Sequence, residues 1–152
     1  MLHVVLVEPE IPPNTGNIAR MCLAAGARLH LIEPLGFQID DRQLRRAGMD
    51  YWHHCDIHHW PDLPAWTAAH RETRKWYFTT KTRRAYWNAD FADGDALIFG
   101  KETRGLPESL LEANKEQLLT IPMAPAARSL NLGTSAGIAT YEALRQIKNT
   151  TN

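Results

Sequence analysis

The stretch from His3 to Ile32 limits what this chain can fold into more than any other. His3 to Val7 is a short apolar run with β-branched residues, and it predicts a buried strand. The turn Glu8-Pro-Glu-Ile-Pro-Pro-Asn-Thr-Gly-Asn follows, in which Asn14 or Thr15 can cap a helix. Ile18, Met21, Cys22 and Ala25 keep the 3.6-residue spacing of one helix face, and Gly26 closes that helix. Arg28 to Ile32 predicts a second strand, stopped by Pro34. A helix between two strands carries the chain back to the edge where the first strand began. The unit is therefore βαβ and its strands run parallel.

The rest of the chain repeats that alternation. Strands are expected at Trp76–Thr80, Ala96–Phe99 and Gln117–Ile121. Helices are expected from Asp41 to near Gly48, from the Pro61/Pro64 region to about His70, at Ser109–Asn114 behind a Pro107 at the first helical position, and from Leu132 to about Lys148. Met49 to Trp60 fits neither period. With 152 residues and no linker or repeat, the chain reads as one α/β domain over 1–152, a parallel sheet with helices on both faces.

Charge and composition narrow the function. The 17 basic residues balance 17 acidic ones, so any nucleic-acid contact must come from local patches such as Arg42, Arg45 and Arg46 rather than from the whole protein's field. No apolar run approaches a membrane span, the N-terminus has no signal-peptide pattern, and the two cysteines, Cys22 and Cys55, form no paired motif. The expectation is a cytoplasmic protein without a membrane partner. His53, His54, His58 and His59 lack the spacing of a metal site, and no metal is expected.

Ligands of open α/β sheets bind beyond the carboxyl ends of the strands. Three loops there carry unusual residues: Thr79-Thr-Lys, Gly100-Lys-Glu-Thr-Arg-Gly, and Ile121-Pro-Met through Asn131. The last leads into a helix rich in small residues, Gly133, Ser135, Ala136, Gly137 and Ala139, with Ser129 or Asn131 placed to cap it. The usual nucleotide signatures are missing. Leu106-Pro107 stands where a Walker loop needs Lys-Ser/Thr, and neither a Gly-x-Gly-x-x-Gly follows the first strand nor a Gly-x-Ser-x-Gly elbow occurs.

At these loops the sequence resembles the SPOUT superfamily of methyltransferases, most of all the single-domain branch that 2′-O-methylates the wobble nucleotide of transfer RNA. The resemblance is carried by Glu8-Pro-Glu-Ile-Pro-Pro-Asn-Thr-Gly-Asn-Ile-Ala-Arg20, Leu44-Arg-Arg-Ala-Gly-Met-Asp-Tyr51, Phe99-Gly-Lys-Glu-Thr-Arg-Gly-Leu-Pro107, Arg128-Ser-Leu-Asn-Leu132 and Tyr141-Glu-Ala-Leu-Arg145. It implies a C-terminal trefoil knot, a homodimer whose sites use both subunits, and a transfer RNA substrate. It also implies S-adenosylmethionine as cofactor, with S-adenosylhomocysteine as product, held by Phe78, Gly100, Glu102, Gly105, Leu106, Ile121, Ser129, Leu130 and Asn131. Arg20 is expected on the acceptor side as the catalytic residue, with Tyr141 a second candidate. Arg42, Arg45, Arg46 and Arg128 are expected to contact RNA. Guanidinium stays protonated, so Arg20 is read as a phosphate and alkoxide stabiliser rather than a base. Methylation of another RNA, a non-catalytic RNA-binding dimer and a small-molecule enzyme with another nucleotide are the competing readings.

Overall fold

The computed structural model describes residues 1–40, 42 and 50–151. Its strands are β1 (His3–Val7), β2 (Arg28–Ile32), β3 (Ile57–Trp60), β4 (Lys75–Phe78), β5 (Ala96–Phe99) and β6 (Leu118–Leu119). They form one parallel sheet in the order β3-β2-β1-β5-β4-β6. β1 is central: His3 is in register with Arg28 on one side and with Ala96 on the other. The helices are α1 (Pro12–Ala25), α2 (Leu63–Ala69), α3 (Glu108–Ala113) and α4 (Leu132–Thr151).

Side-chain alternation along the strands divides the core in two. On one face Val4, Leu6, Leu29, Leu31, Trp76, Phe78, Leu97 and Phe99 pack with Ile18 and Cys22 of α1 and with Ala136, Ala139 and Ala143 of α4. On the other, Val5, Val7, Ile32, Tyr77 and Ile98 pack with Trp66 of α2 and with Leu106 and Leu111. The fully buried alanines bring α4 close to α1.

Three expectations are corrected. Among the described residues there are six strands, not five: the unassigned Met49–Trp60 region holds a 3₁₀ turn, Asp50–His54, and the edge strand β3. β3 pairs only with β2, and its sequence Ile-His-His-Trp lacks an apolar stripe because an edge strand needs only part of one face covered. Helix α1 starts earlier than expected, at Pro12, and Ile11 at its N-cap makes no side-chain cap bond. Asn14 and Thr15 are instead buried inside the first turns. Pro107 precedes α3 as its cap residue rather than opening it. Gly26 does close α1, with φ of 68°. The helix expected from Asp41 lies outside the described residues except for exposed Arg42.

Candidate active site

The carboxyl ends of β4, β5 and β6 open onto a cavity of about 450 Å³. Phe78, Gly100, Glu102, Gly105, Leu106, Ile121, Ser129, Leu130 and Asn131 all line it, together with Asn14, Phe99 and Thr79. Phe78 and Phe99 stack on neighbouring strands with ring centroids 4.7 Å apart and form an aromatic wall. Both glycines of the middle loop are required by geometry. A Cβ on Gly100 would lie 2.1 Å from the Gly105 carbonyl carbon and 2.2 Å from the Leu106 nitrogen. Gly105 has φ of 68°, and its amide closes the loop onto Lys101 at 2.9 Å.

Two carboxylates clasp this loop to the segment after β1. Glu102 accepts hydrogen bonds from the Glu10 amide at 2.8 Å, the Ile11 amide at 3.1 Å and Asn14 Nδ2 at 3.4 Å. Glu10 in turn accepts from the amide and hydroxyl of Thr103, and these bonds hold its carboxyl below the usual range. The clasp continues into α4. Asn131 Nδ2 donates to Asn14 Oδ1 at 2.9 Å, while Asn131 Oδ1 caps the helix by accepting from the Thr134 amide at 3.2 Å. Glu102 therefore lines the cavity with its carboxylate already engaged by protein donors, and its part is to hold the loop. Neither Asn14 nor Thr15, the two cap candidates in the sequence, caps α1. The signal that could have shown this is Pro12-Pro13 before them, since two prolines suit a first helical turn that needs no side-chain cap.

The residues expected on the acceptor side do not line the cavity of their own chain. Arg20 is exposed on α1, its guanidinium carbon 5.7 Å from the centroid of the Tyr51 ring. Tyr51 is fixed there because its hydroxyl donates to the Gly16 carbonyl of α1 at 2.7 Å. Burial raises the Tyr51 hydroxyl above its ordinary pKa, so it stays a donor at neutral pH. Tyr141 is 51 % exposed on α4. Arg42 and Arg128 are exposed and apart from the cavity wall; Arg45 and Arg46 fall outside the described residues.

The histidines that gather are not the sequence neighbours. His53 and His54 are exposed, and His58 meets Asp56 at 2.6 Å. Instead His3, His30 and His70 bring ring nitrogens within 4.8 Å of one another at the amino ends of the strands. Their protons can be placed. Trp60 Nε1 can only donate, and it lies 3.0 Å from His30 Nδ1. His30 therefore carries its proton on Nε2 and gives it to His3 Nδ1 at 2.9 Å. Both His30 nitrogens are thus used, and the group reads as a hydrogen-bond chain rather than a set of open ligands.

Burial lowers the His3 pKa to about 4 and that of His30 to about 3. Unfolded imidazoles bind a proton near pH 6.5, so below that the unfolded state holds more protons than the folded state. Stability is expected to fall as pH drops from about 6.5 toward 4, by roughly 1 kcal/mol per pH unit from His30, with less from half-buried His3. Denaturant midpoints measured across that range check this; a His30→Gln protein should show a shallower slope, and equal slopes would contradict it.

The comparisons with known proteins agree with this geometry. The model of the SpoU rRNA Methylase family matches residues 1–141. The tRNA (cytidine(34)-2′-O)-methyltransferase of Aeromonas hydrophila is 50 % identical over 148 residues, covering 97 % of this chain and 95 % of that protein. A solved structure described as giving structural insights into the 2-OH methylation of C/U34 on tRNA superposes with a TM-score of 0.92 at 45 % identity, covering 98 % of this chain and 97 % of that one. An AdoMet-bound rRNA methyltransferase from Sinorhizobium meliloti superposes with a TM-score of 0.81 at 28 % identity, covering 95 % of this chain and 56 % of that one.

Proposed function

The chain belongs to the SpoU rRNA methylase family and is a methyltransferase, and we propose that it transfers a methyl group to the ribose 2′-hydroxyl of the wobble nucleotide of transfer RNA. The observation that supports this most is the cavity at the carboxyl ends of β4 to β6, lined by the residues that the resemblance assigns to the cofactor, in a chain 50 % identical to a relative named for that reaction.

The cavity suits S-adenosylmethionine. Its volume is in the ordinary range for small-molecule sites, its aromatic and aliphatic walls (Phe78, Phe99, Leu106, Ile121) match a purine face, and Thr79, Ser129 and Asn131 offer hydrogen bonds. When bound, S-adenosylmethionine supplies an electrophilic methyl group. The chain's own residues then fix geometry and exclude water. The Glu102–Asn14–Asn131 relay ties the loop after β5 to the start of α4, so the two cavity walls move as one body. Arg20 holds a phosphate beside the acceptor nucleotide and stabilises charge as the ribose oxygen attacks. S-adenosylhomocysteine at 100 times its dissociation constant is expected to stabilise the fold by about 2.7 kcal/mol. Isothermal calorimetry showing no uptake at millimolar ligand would remove the cofactor from the account.

The working unit is a homodimer, with Arg20 of one subunit serving the cavity of the other. The support is that Arg20 stands outside its own cavity, while Ile11, Leu23 and Tyr141 leave apolar surface exposed on and beside α1 and α4. Among the described residues, a Cβ at Gly137 on α4 would meet no atom within 4 Å apart from its chain neighbours and its own helix backbone. Gly137→Leu is therefore expected to fit the single chain yet shift sedimentation toward monomer; a dimer as tight as wild type would exclude this face.

The finer topology is the C-terminal knot. Its support is that β6 pairs with β4 while Thr120, the residue after it, bridges to Ala85 in the connection from β4 to β5. Among the described residues no helix is long and apolar enough to cross a membrane. A transfer RNA substrate places the protein in the cytoplasm.

A further inference from the structure

The loop leaving β4 carries a surface that neither the cavity nor the core uses. Thr79, Thr80 and Lys81 line the cavity, and six residues beyond Lys81 stands Trp87, 53 % exposed. Single exposed apolar residues are ordinary. This one differs in how it is held and in what surrounds it. Trp87 sits in the 3₁₀ turn Tyr86–Asn88, whose backbone is stapled to the end of β6: the Tyr86 amide donates to the Thr120 carbonyl at 2.9 Å and the Thr120 amide to the Arg84 carbonyl at 2.8 Å. The next residue, Ile121, is a cavity wall, so the turn is fixed relative to the site. Half-buried Tyr86 supports the indole with ring centroids 5.3 Å apart.

Three basic residues, Lys81, Arg83 and Arg84, precede Trp87 in the same loop. Lys81 pairs with Glu108, and Arg84 donates to the Glu116 carbonyl at 2.9 Å while its guanidinium lies 5.2 Å from the centre of the Trp76 ring. Exposed Arg83 makes no hydrogen bond, ion pair or ring contact among the described residues. A stapled, solvent-facing indole, with an unpaired exposed guanidinium four residues before it in the same loop, offers what binds unpaired nucleotides: one group for stacking and the other for phosphate.

We propose that Trp87 and Arg83 form a stacking subsite for an unpaired base of the substrate RNA near the methylated nucleotide. This rests on the RNA methyltransferase reading above. It adds a sequence-tolerant contact on the β6 edge of the site.

The test compares wild type with Trp87→Ala, Trp87→Phe and Arg83→Ala. A transfer RNA anticodon stem-loop is titrated against each protein, and the same stem closed without its unpaired loop serves as control. Trp87→Ala is expected to weaken loop binding by about 5- to 150-fold, with Trp87→Phe recovering most of it. Arg83→Ala should lower the slope of log K against log salt by about 0.7 to 0.9. S-adenosylhomocysteine affinity, sedimentation and binding of the loopless stem should stay as in wild type. Unchanged loop binding by Trp87→Ala overturns the subsite while leaving the enzymatic reading intact. Loss of loop binding together with altered sedimentation also overturns it, because Trp87 would then be a packing contact, including one with a protein partner. If wild type binds neither RNA and methylates none, the enzymatic reading fails first, and that outcome is seen without any variant.

Discussion

Arg20→Ala is expected to lower methyl transfer at least ~100-fold while S-adenosylhomocysteine affinity stays nearly unchanged, the loss typical of removing one electrostatic group from a transition state. The separation follows from position. Arg20 is exposed on α1 and does not line its own chain's cavity, and across subunits it is assigned to the acceptor RNA rather than to the cofactor, so its removal should leave cofactor contacts in place. It is also outside the core, so the fold should persist. Its neighbour is Tyr51, whose ring lies 5.7 Å from the guanidinium carbon. Tyr51→Phe keeps the ring but removes the bond to the Gly16 carbonyl, and a small effect there would show that orientation of Arg20 tolerates some freedom. Arg20→Lys should recover little, since a point charge does not reproduce a two-pronged donor. Mixed dimers of Arg20→Ala with a cavity variant should regain one working site if Arg20 acts across subunits. Wild-type turnover by Arg20→Ala would remove this residue from the mechanism.

The second large effect is at Gly100. Gly100→Ala would drive a methyl group to 2.1 Å from the Gly105 carbonyl carbon and 2.2 Å from the Leu106 nitrogen. Both obstacles are backbone, and both belong to the loop closed by the bond from the Gly105 amide to Lys101. The loop has to open, and Glu102 and Thr103 move with it, so the clasp to Glu10 and Asn14 is lost as well. Overpacking of this kind costs about 1–3 kcal/mol or more. S-adenosylhomocysteine affinity is expected to fall by more than about 100-fold, the weight of two or three lost contacts. Gly137→Ala is the matched control, because among the described residues its new methyl meets nothing beyond its chain neighbours and its own helix backbone. Calorimetry on Gly100→Ala returning wild-type affinity would mean the loop is far softer than its packing indicates.

The sequence made some of this legible and hid the rest for physical reasons. The cavity walls could be read because ligands of parallel sheets collect at strand ends, and loops bearing Gly100, Gly105 and Ile121-Pro122 follow directly on apolar runs. The strand Ile57–Trp60 could not, because as an edge strand it pairs on one side only and carries two histidines where a buried strand would be apolar. The role of Asn14 stays hidden for a different reason: an asparagine near the start of a helix has the same local signature whether it caps that helix or reaches across to Asn131. The His3–His30 chain joins β1 to β2 through tertiary register, and no spacing in the sequence announces it. Arg20 carries no local signal beyond an exposed guanidinium on α1, and its absence from the cavity lining is accounted for by the proposed action across subunits.

The central claim is that the ribose of the wobble nucleotide is the acceptor. The direct measurement is mass-spectrometric nucleoside mapping of transfer RNA incubated with the protein and S-adenosylmethionine labelled in its methyl group, alongside the same RNA carrying a 2′-deoxy nucleotide at the wobble position. The account predicts label in the 2′-O-methylated wobble nucleoside of the first RNA and none in the second. Label on a base, label at another nucleotide, or equal labelling of the deoxy RNA would contradict it.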